Sequence, residues 1–150
     1  MRLALLPTLA VALLAGPAVA QERQSPRQMI DEMGMGPSRA EVRRMVEAAR
    51  NQPLGSERNP IRVNGPQGER AYIARLRCAD GAAPRVGQRA NIGVGAFGTI
   101  VDVYPLDCGA AAPGEVRLAM DMYHDDYVES RAPEGFTLAP GDAAPVRDKT

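Results

Sequence analysis

Two cysteines that follow an apolar leader are the feature that most constrains this fold. The chain begins with a single basic residue, continues as an apolar run over residues 3–14, and then reaches the small-residue sequence Ala18–Ala20. This order is typical of a secretory signal peptide, and it predicts cleavage after Ala20. An exported chain enters an oxidising compartment, where two cysteines favour a disulfide over a metal site. We therefore expect Cys78 and Cys108 to be bonded to each other.

The spacing of the two cysteines supports a structural role. They lie 30 positions apart (108 − 78), and their bond would close a loop that stabilises the fold by about 3–4 kcal/mol. A redox-active pair would more often occur as Cys-x-x-Cys at the start of a helix. The sequence contains no tryptophan and only two phenylalanines, so the core must consist mainly of aliphatic side chains. Such a core is modest, and a covalent link would support it.

Size and charge exclude several classes of protein. Removal of 20 residues from 150 leaves 130, which is enough for one domain. Basic and acidic residues number 18 each, and Arg2 is lost with the leader, so the mature charge is 17 − 18, or −1. A near-neutral chain has no electrostatic footprint for nucleic acid. The leader's apolar run is shorter than the roughly 20 residues that span a bilayer, and no membrane insertion is expected.

The clearest helix is predicted over residues 38–50. Ser38 and Glu41 have the spacing of a capping box, which satisfies the first backbone amides of a helix. Apolar residues then recur at the i, i+3, i+4 and i+7 positions, namely Val42, Met45, Val46 and Ala49. This periodicity predicts an amphipathic helix whose apolar stripe packs on the rest of the domain.

After residue 60 the pattern changes to alternation, which is typical of strands. We predict strands over Ile61–Val63, Arg70–Cys78, Thr99–Tyr104, Val116–Met122 and Phe136–Leu138. A turn is predicted over residues 64–68 and a hairpin over 109–114, whereas the segment after Asp80 is predicted to be a long loop. In the strand that starts at Val116, Leu118 and Met120 are expected to point inward and Asp121 outward.

The predicted fold class is therefore α+β, with one amphipathic helix packed on a small antiparallel β-sheet and one disulfide. We divide the chain into a signal peptide (1–20), a flexible N-terminal arm with a helical turn near residues 26–33 (21–36), a single domain (37–138, β-rich from 60) and a disordered tail (139–150).

A glycine motif between two predicted strands resembles a nucleotide-binding loop in its letters only. Residues 93–98 match G-x-G-x-x-G. The dinucleotide motif requires a following helix whose N-terminus meets the pyrophosphate, but the residues after Gly98 alternate as a strand. We interpret the motif as a flexible or closely packed glycine loop and expect no cofactor.

The segment 121–129 is the one place where the sequence could assemble chemistry. It contains the only histidine of the chain, four carboxylates and two tyrosines. The candidate binding surface consists of Tyr123, His124, Asp125, Asp126 and Glu129. Zinc sites normally need further histidine or cysteine ligands, and the EF-hand spacing is absent, so no metal is predicted. The alternative is a solvated strand end whose histidine makes only local hydrogen bonds.

Two further residue groups have structural interpretations. The arginines at positions 70, 75, 77, 85 and 89 could form a cationic face for a glycan or a carboxylate, but a solvated sheet face accounts for them as well. The three methionines at 29, 33 and 35 could bind a soft ion, but flexible packing against the sheet or disorder is the favoured interpretation.

Three segments carry a resemblance. At residues Arg75–Gly81, Met120–His124 and Ala132–Phe136, the chain resembles small exported proteins of unknown function from high-GC proteobacteria. The resemblance implies a bacterial envelope or secreted location. It implies no activity, cofactor or site residue.

These observations favour a non-enzymatic periplasmic or secreted binding module, with an envelope protein or a glycan as candidate partner classes. One alternative is a small hydrolase or metal-dependent enzyme that uses His124 with Asp121, Asp125 or Glu129. Another alternative is a structural envelope protein without a small ligand.

Overall fold

The computed structural model describes residues 24–140 as three helices and a set of short strands. The elements are α1 (Pro26–Glu32), α2 (Arg39–Ala49), β1 (Ile61–Arg62), α3 (Gly65–Arg75), β2 (Leu76–Arg77), β3 (Arg85–Val86), β4 (Ala90–Val94), β5 (Ile100–Asp107), β6 (Glu115–Asp121) and β7 (Thr137–Leu138). The fold is α+β, as the sequence predicts. The predicted signal peptide and residues 141–150 of the predicted tail lie outside the described residues.

The main sheet is mixed, which corrects the antiparallel sheet predicted from the sequence. Its strand order is β1-β6-β5-β3, and β4 also pairs with β5. The β5–β6 hairpin is antiparallel over seven residue pairs, from Val101↔Asp121 to Asp107↔Glu115. In contrast, β1 runs parallel to β6. Strands joined by a hairpin pair in antiparallel fashion, and the sequence indicates only such pairs. Strand β1 instead reaches β6 through a long connection that contains α3.

The largest correction to the sequence prediction concerns helix α3. The predicted turn and most of the strand over Arg70–Cys78 form one helix, and only Leu76–Arg77 is extended. Pro66 occupies the first turn, where a missing backbone amide costs nothing. Glu69, Tyr72 and Ile73 are buried at i, i+3 and i+4 positions, which is a helical period.

Helix α3 contributes to the core that the sequence analysis assigned to α2. Tyr72 and Ile73 lie in one buried cluster with Ile61, Leu118 and Met120. Helix α2 does contain the capping box, because the Ser38 hydroxyl accepts from the amide of Glu41 and the Glu41 side chain accepts from the amide of Ser38. Its apolar stripe is only partly covered: Val42 and Ala49 are buried, but Met45 is 36% exposed.

The disulfide joins the ends of two strands, and this prediction is confirmed. Cys78 and Cys108 are bonded, with 5.8 Å between their Cα atoms. Cys78 is itself part of the buried cluster and is 2% exposed. The bond ties the segment after α3 to the β5–β6 hairpin.

Several local predictions need smaller corrections. The segment predicted as a long loop contains β3 and β4, and Pro105 does not end β5, which continues to Asp107. Asp121 is fully buried and not solvent-facing. Ala139, the first residue of the predicted tail, exchanges two hydrogen bonds with Arg75.

The first turn of α1, which lies in the predicted N-terminal arm, contacts the domain, whereas Met29, Met33 and Met35 are exposed. Ser25 caps α1, and Arg27 in its first turn is 2% exposed. The Arg27 guanidinium donates to the carbonyl of Pro37 at 2.8 Å. No helix among residues 24–140 is long and apolar enough to cross a membrane.

Candidate functional site

A groove with a volume of about 400 Å³ opens between α2 and the segment that follows β6. Its lining combines four arginines, one histidine, two tyrosines, two valines and two acidic residues: Arg27, Arg39, Val42, Arg43, Val46, Glu47, Arg62, Tyr123, His124, Asp126 and Tyr127. This volume lies in the range of pockets that hold small molecules. Positive charge beside apolar walls is suited to an anion that carries a hydrophobic body.

Asp125 fixes one wall of the groove through Arg39. The two side chains form a two-point ion pair, with nitrogen–oxygen distances of 2.9 and 3.1 Å. The hydroxyl of Ser25 also donates to Asp125 at 3.1 Å. The hydrogen bonds from Arg39 hold the pKa of the Asp125 carboxyl below its ordinary value. This network joins the start of α1, the start of α2 and the segment after β6.

Arg27 lies deeper in the same wall. Its guanidinium pairs with Asp31 at 2.7 Å, but its buried Nε has no hydrogen-bond partner among the described residues. Asp31 also lies 3.1 Å from Arg39. Two of the four arginines are therefore neutralised within the protein.

Arg62 differs from these two arginines. It comes from β1, is half-buried, and places its Cζ atom 3.6 Å from the centroid of the Tyr127 ring. Within residues 24–140, its guanidinium makes no ion pair and no hydrogen bond. A guanidinium stacked on a ring keeps the N–H groups at its edge available for an acceptor.

His124 forms part of the floor of the groove. The residue is 5% exposed, and its ring meets the edge of Phe97 with 5.6 Å between the ring centroids. Its Nε2 atom lies 3.5 Å from an oxygen of Asp121 and has no hydrogen-bond partner among the described residues. Asp121 is held in place by the hydroxyl of Thr99 and by the amide of Tyr123, which donates at 3.0 Å.

The five residues predicted as a binding surface therefore have three different positions. Tyr123, His124 and Asp126 line the groove, whereas Asp125 supports its wall. Glu129 is not part of the groove lining. The interpretation of the segment as a solvated strand end is wrong for His124 and Glu129, because both are buried.

Glu129 is a buried structural carboxylate. Its oxygens accept from the side chain of Arg131 at 3.0 and 3.1 Å and from the hydroxyl of Tyr127 at 3.2 Å. Burial raises the pKa of the Glu129 carboxyl, but the hydrogen bonds from Arg131 outweigh it, and the pKa lies below its ordinary value. The bond to Tyr127 also steadies the ring under Arg62.

Two buried carboxyl groups lie on the face of the main sheet opposite the groove. Glu69 of α3 is fully buried, and it accepts from the hydroxyl of Tyr104 at 2.8 Å. Asp102 is nearby, and Arg89 lies 3.3 Å from Asp102 and 3.7 Å from Glu69. Burial raises the pKa of Glu69 to about 7. Neither carboxyl lines the groove.

The arginine group and the glycine motif each have a structural explanation. The five arginines at 70, 75, 77, 85 and 89 do not act as one face, since Arg85 pairs with Asp107 and Arg89 with Asp102. The glycine motif spans the end of β4 and the turn into β5, so it has no helix after it. Within residues 24–140, no group of three or more histidine, cysteine, aspartate or glutamate side chains is arranged to hold a metal ion.

The arginines of the groove carry almost no signal in the sequence. Arg39 and Arg43 lie on the polar side of α2 at i, i+4 spacing, which is the only local signal for them. Arg62 and Arg27 come from separate elements, and only the tertiary fold brings them together.

No protein family model, curated protein or solved structure matches this chain.

Proposed function

We propose that this protein is an exported, non-enzymatic binding module that takes a small anionic ligand in the groove between α2 and the segment after β6. The observation that carries the proposal is Arg62, a half-buried guanidinium that stacks on Tyr127 and has no acidic partner among the described residues. Partly desolvated charges are costly unless they are paired, so a guanidinium in such a groove favours an incoming anion.

Export is supported by two independent features. The first 20 residues have the composition of a signal peptide, with cleavage after Ala20, and a disulfide is present between Cys78 and Cys108. These two features together support a periplasmic or secreted location. Mass spectrometry of protein isolated from its native envelope should give a mature chain that starts at Gln21 and lacks two hydrogens. A retained leader or free thiols would contradict export.

Ligand binding is tested by isothermal titration with small organic anions, using Arg62→Gln and the control Arg70→Gln. Arg70 is exposed on α3, makes no ion pair among the described residues and lies outside the groove lining, so both variants remove one positive charge. We expect Arg62→Gln to weaken anion binding at least tenfold and Arg70→Gln to change it less than twofold. Equal effects of both variants would refute a site at the groove.

A hydrolase is the second candidate, because of the Asp121–His124 pair. A buried carboxylate that faces one imidazole nitrogen leaves the other nitrogen for proton transfer. If this pair acts as a general base, p-nitrophenyl ester hydrolysis should be lost in His124→Gln while the melting temperature stays near that of the parent protein. Hydrolysis equal to the background rate in the parent protein would exclude this candidate for such esters.

A further inference from the structure

We infer that the groove is specific for monocarboxylates with an apolar body, which names the ligand class of the proposed binding function and rests on that function. Three features of the groove favour such a ligand: the charge that remains after internal pairing, the geometry of Arg62, and the apolar side chains that face the groove.

The remaining charge of the groove matches a single negative charge. Arg27 is neutralised by Asp31 at 2.7 Å, and Arg39 by Asp125 at 2.9 Å. At the rim, Glu47 pairs with Arg50 at 2.9 Å. Asp126 also lies 3.9 Å from Arg39, so Arg27 and Arg39 face three carboxylates in all. With Arg43 and Arg62, which make no ion pair among the described residues, the four arginines and three carboxylates sum to 4 − 3, or +1. A monoanion balances this charge, whereas a phosphate monoester at neutral pH carries up to two charges.

The position of Arg62 favours a planar acceptor. Because Tyr127 covers one face of the guanidinium at 3.6 Å, the N–H groups in the plane are the donors that remain accessible. A carboxylate presents two coplanar oxygens, and it matches the fork of an arginine edge in a two-point contact. Tyr127 thus acts as a positioning residue for Arg62.

The walls of the groove supply the apolar contact. Val42 and Val46 face it from α2, and the rings of Tyr123 and Tyr127 face it from the segment after β6. Val42 is 9% exposed, so this wall is packed in place before any ligand arrives. A volume of about 400 Å³ accommodates an aromatic ring or a short alkyl chain. Acetate would leave most of this apolar surface uncovered.

Three probes with the same phenylalkyl body separate the possibilities: 4-phenylbutyrate, its neutral amide 4-phenylbutyramide, and 3-phenylpropyl phosphate. Titration calorimetry on the oxidised protein should show that 4-phenylbutyrate binds at least tenfold more tightly than the amide, and that the phosphate binds no more tightly than the carboxylate.

Two variants of Arg62 test the two-point contact, provided that thermal unfolding shows both to be folded. Arg62→Gln should weaken 4-phenylbutyrate binding at least tenfold. Arg62→Lys keeps the charge but loses the fork, so it should also weaken binding by about tenfold. Parent-level affinity in Arg62→Lys would overturn the two-point contact.

The outcomes distinguish the two levels of the proposal. Phosphate binding that is tenfold tighter and still depends on Arg62 would overturn the monocarboxylate class and leave the anion-binding groove intact. Equal binding of the amide and the carboxylate would overturn recognition by charge. Binding of neither anion would overturn the proposed function together with this inference.

Discussion

Neighbouring residues on β6 show how differently the two faces of the main sheet are built. Met120 is fully buried in the cluster beneath α3, where it meets Tyr72 and Ile73. Asp121 points to the other face, as alternation along a strand requires, and it fixes polar groups beside His124. The face of Met120, the closed face, is covered by α3, whose side chains are buried in the core. The face of Asp121 is covered by α2, whose apolar stripe is only partly buried.

The comparison explains where a binding groove can form. Helix α3 joins the buried cluster with Tyr72 and Ile73, so the face beneath it is packed. Helix α2 is held at its start by the Arg39–Asp125 ion pair, and the groove lies beside Val46, further along the helix. Stability on this account comes mainly from the face with α3, and ligand binding from the face with α2.

The largest expected effect concerns the disulfide, which lies at the edge of the closed face. The double variant Cys78→Ser/Cys108→Ser should lose about 3–4 kcal/mol of unfolding free energy, because it releases a loop of about 31 residues. Urea denaturation of oxidised parent and variant gives the difference. A loss below about 1 kcal/mol would mean that the closed face does not depend on this link.

The next test makes the same chemical change on each face. Val63→Ala removes two methyl groups from the buried cluster and should cost about 2 kcal/mol of unfolding free energy, whereas Val46→Ala in the groove should cost less than about 1 kcal/mol. For 4-phenylbutyrate binding we expect the opposite order, so that Val46→Ala weakens the affinity more than Val63→Ala does. Chemical denaturation and calorimetry on both variants measure the two quantities. An equal loss of unfolding free energy in the two variants would contradict the difference in packing between the two faces.

A smaller effect comes from the carboxyl pair within the closed face. The pKa of Glu69 is raised by burial from 4.5 to about 7, so the folded state binds its proton more tightly than the unfolded state. The stability that this proton provides is present below pH 4.5 and is lost as the pH rises to about 7.

Glu69→Gln should therefore remove this decline and be more stable than the parent by about 1–2 kcal/mol above pH 7. The amide oxygen of the substituted side chain could still accept from the hydroxyl of Tyr104, so the hydrogen bond is kept. Thermal unfolding between pH 4 and 8 measures the profile, with Glu115→Gln as an exposed control. A parent-like slope in Glu69→Gln would assign the pH dependence to another group.

Local signals predicted the parts of the fold that depend on neighbours in sequence. The capping box at Ser38 and Glu41 starts α2, and the alternation around Leu118 forms β6 in a hairpin with β5. The disulfide followed from the inferred compartment. The cap and the strand alternation are determined within about ten residues, which is the range over which such patterns act.

The errors occurred where distant contacts decide the structure. Tyr72 and Leu76 satisfy both an alternating and a helical pattern, and the core contacts of α3 determine the outcome. The parallel pairing of β1 had no local signal. At the site, His124 was identified because it is the only histidine, but its neighbour Arg62 lies 62 positions earlier in the chain (124 − 62) and could not be placed beside it.

The most direct test of the account is an NMR titration that observes the arginine Nε–Hε resonances while 4-phenylbutyrate is added. The account predicts that the Arg62 resonance shifts with saturation and that the exposed Arg70 resonance stays in place. Tyr127 ring signals should shift with the same midpoint, since the ring lies 3.6 Å from the Cζ atom of Arg62. An unchanged Arg62 resonance at ligand concentrations that shift Arg70, which lies outside the groove, would contradict the groove as the binding site.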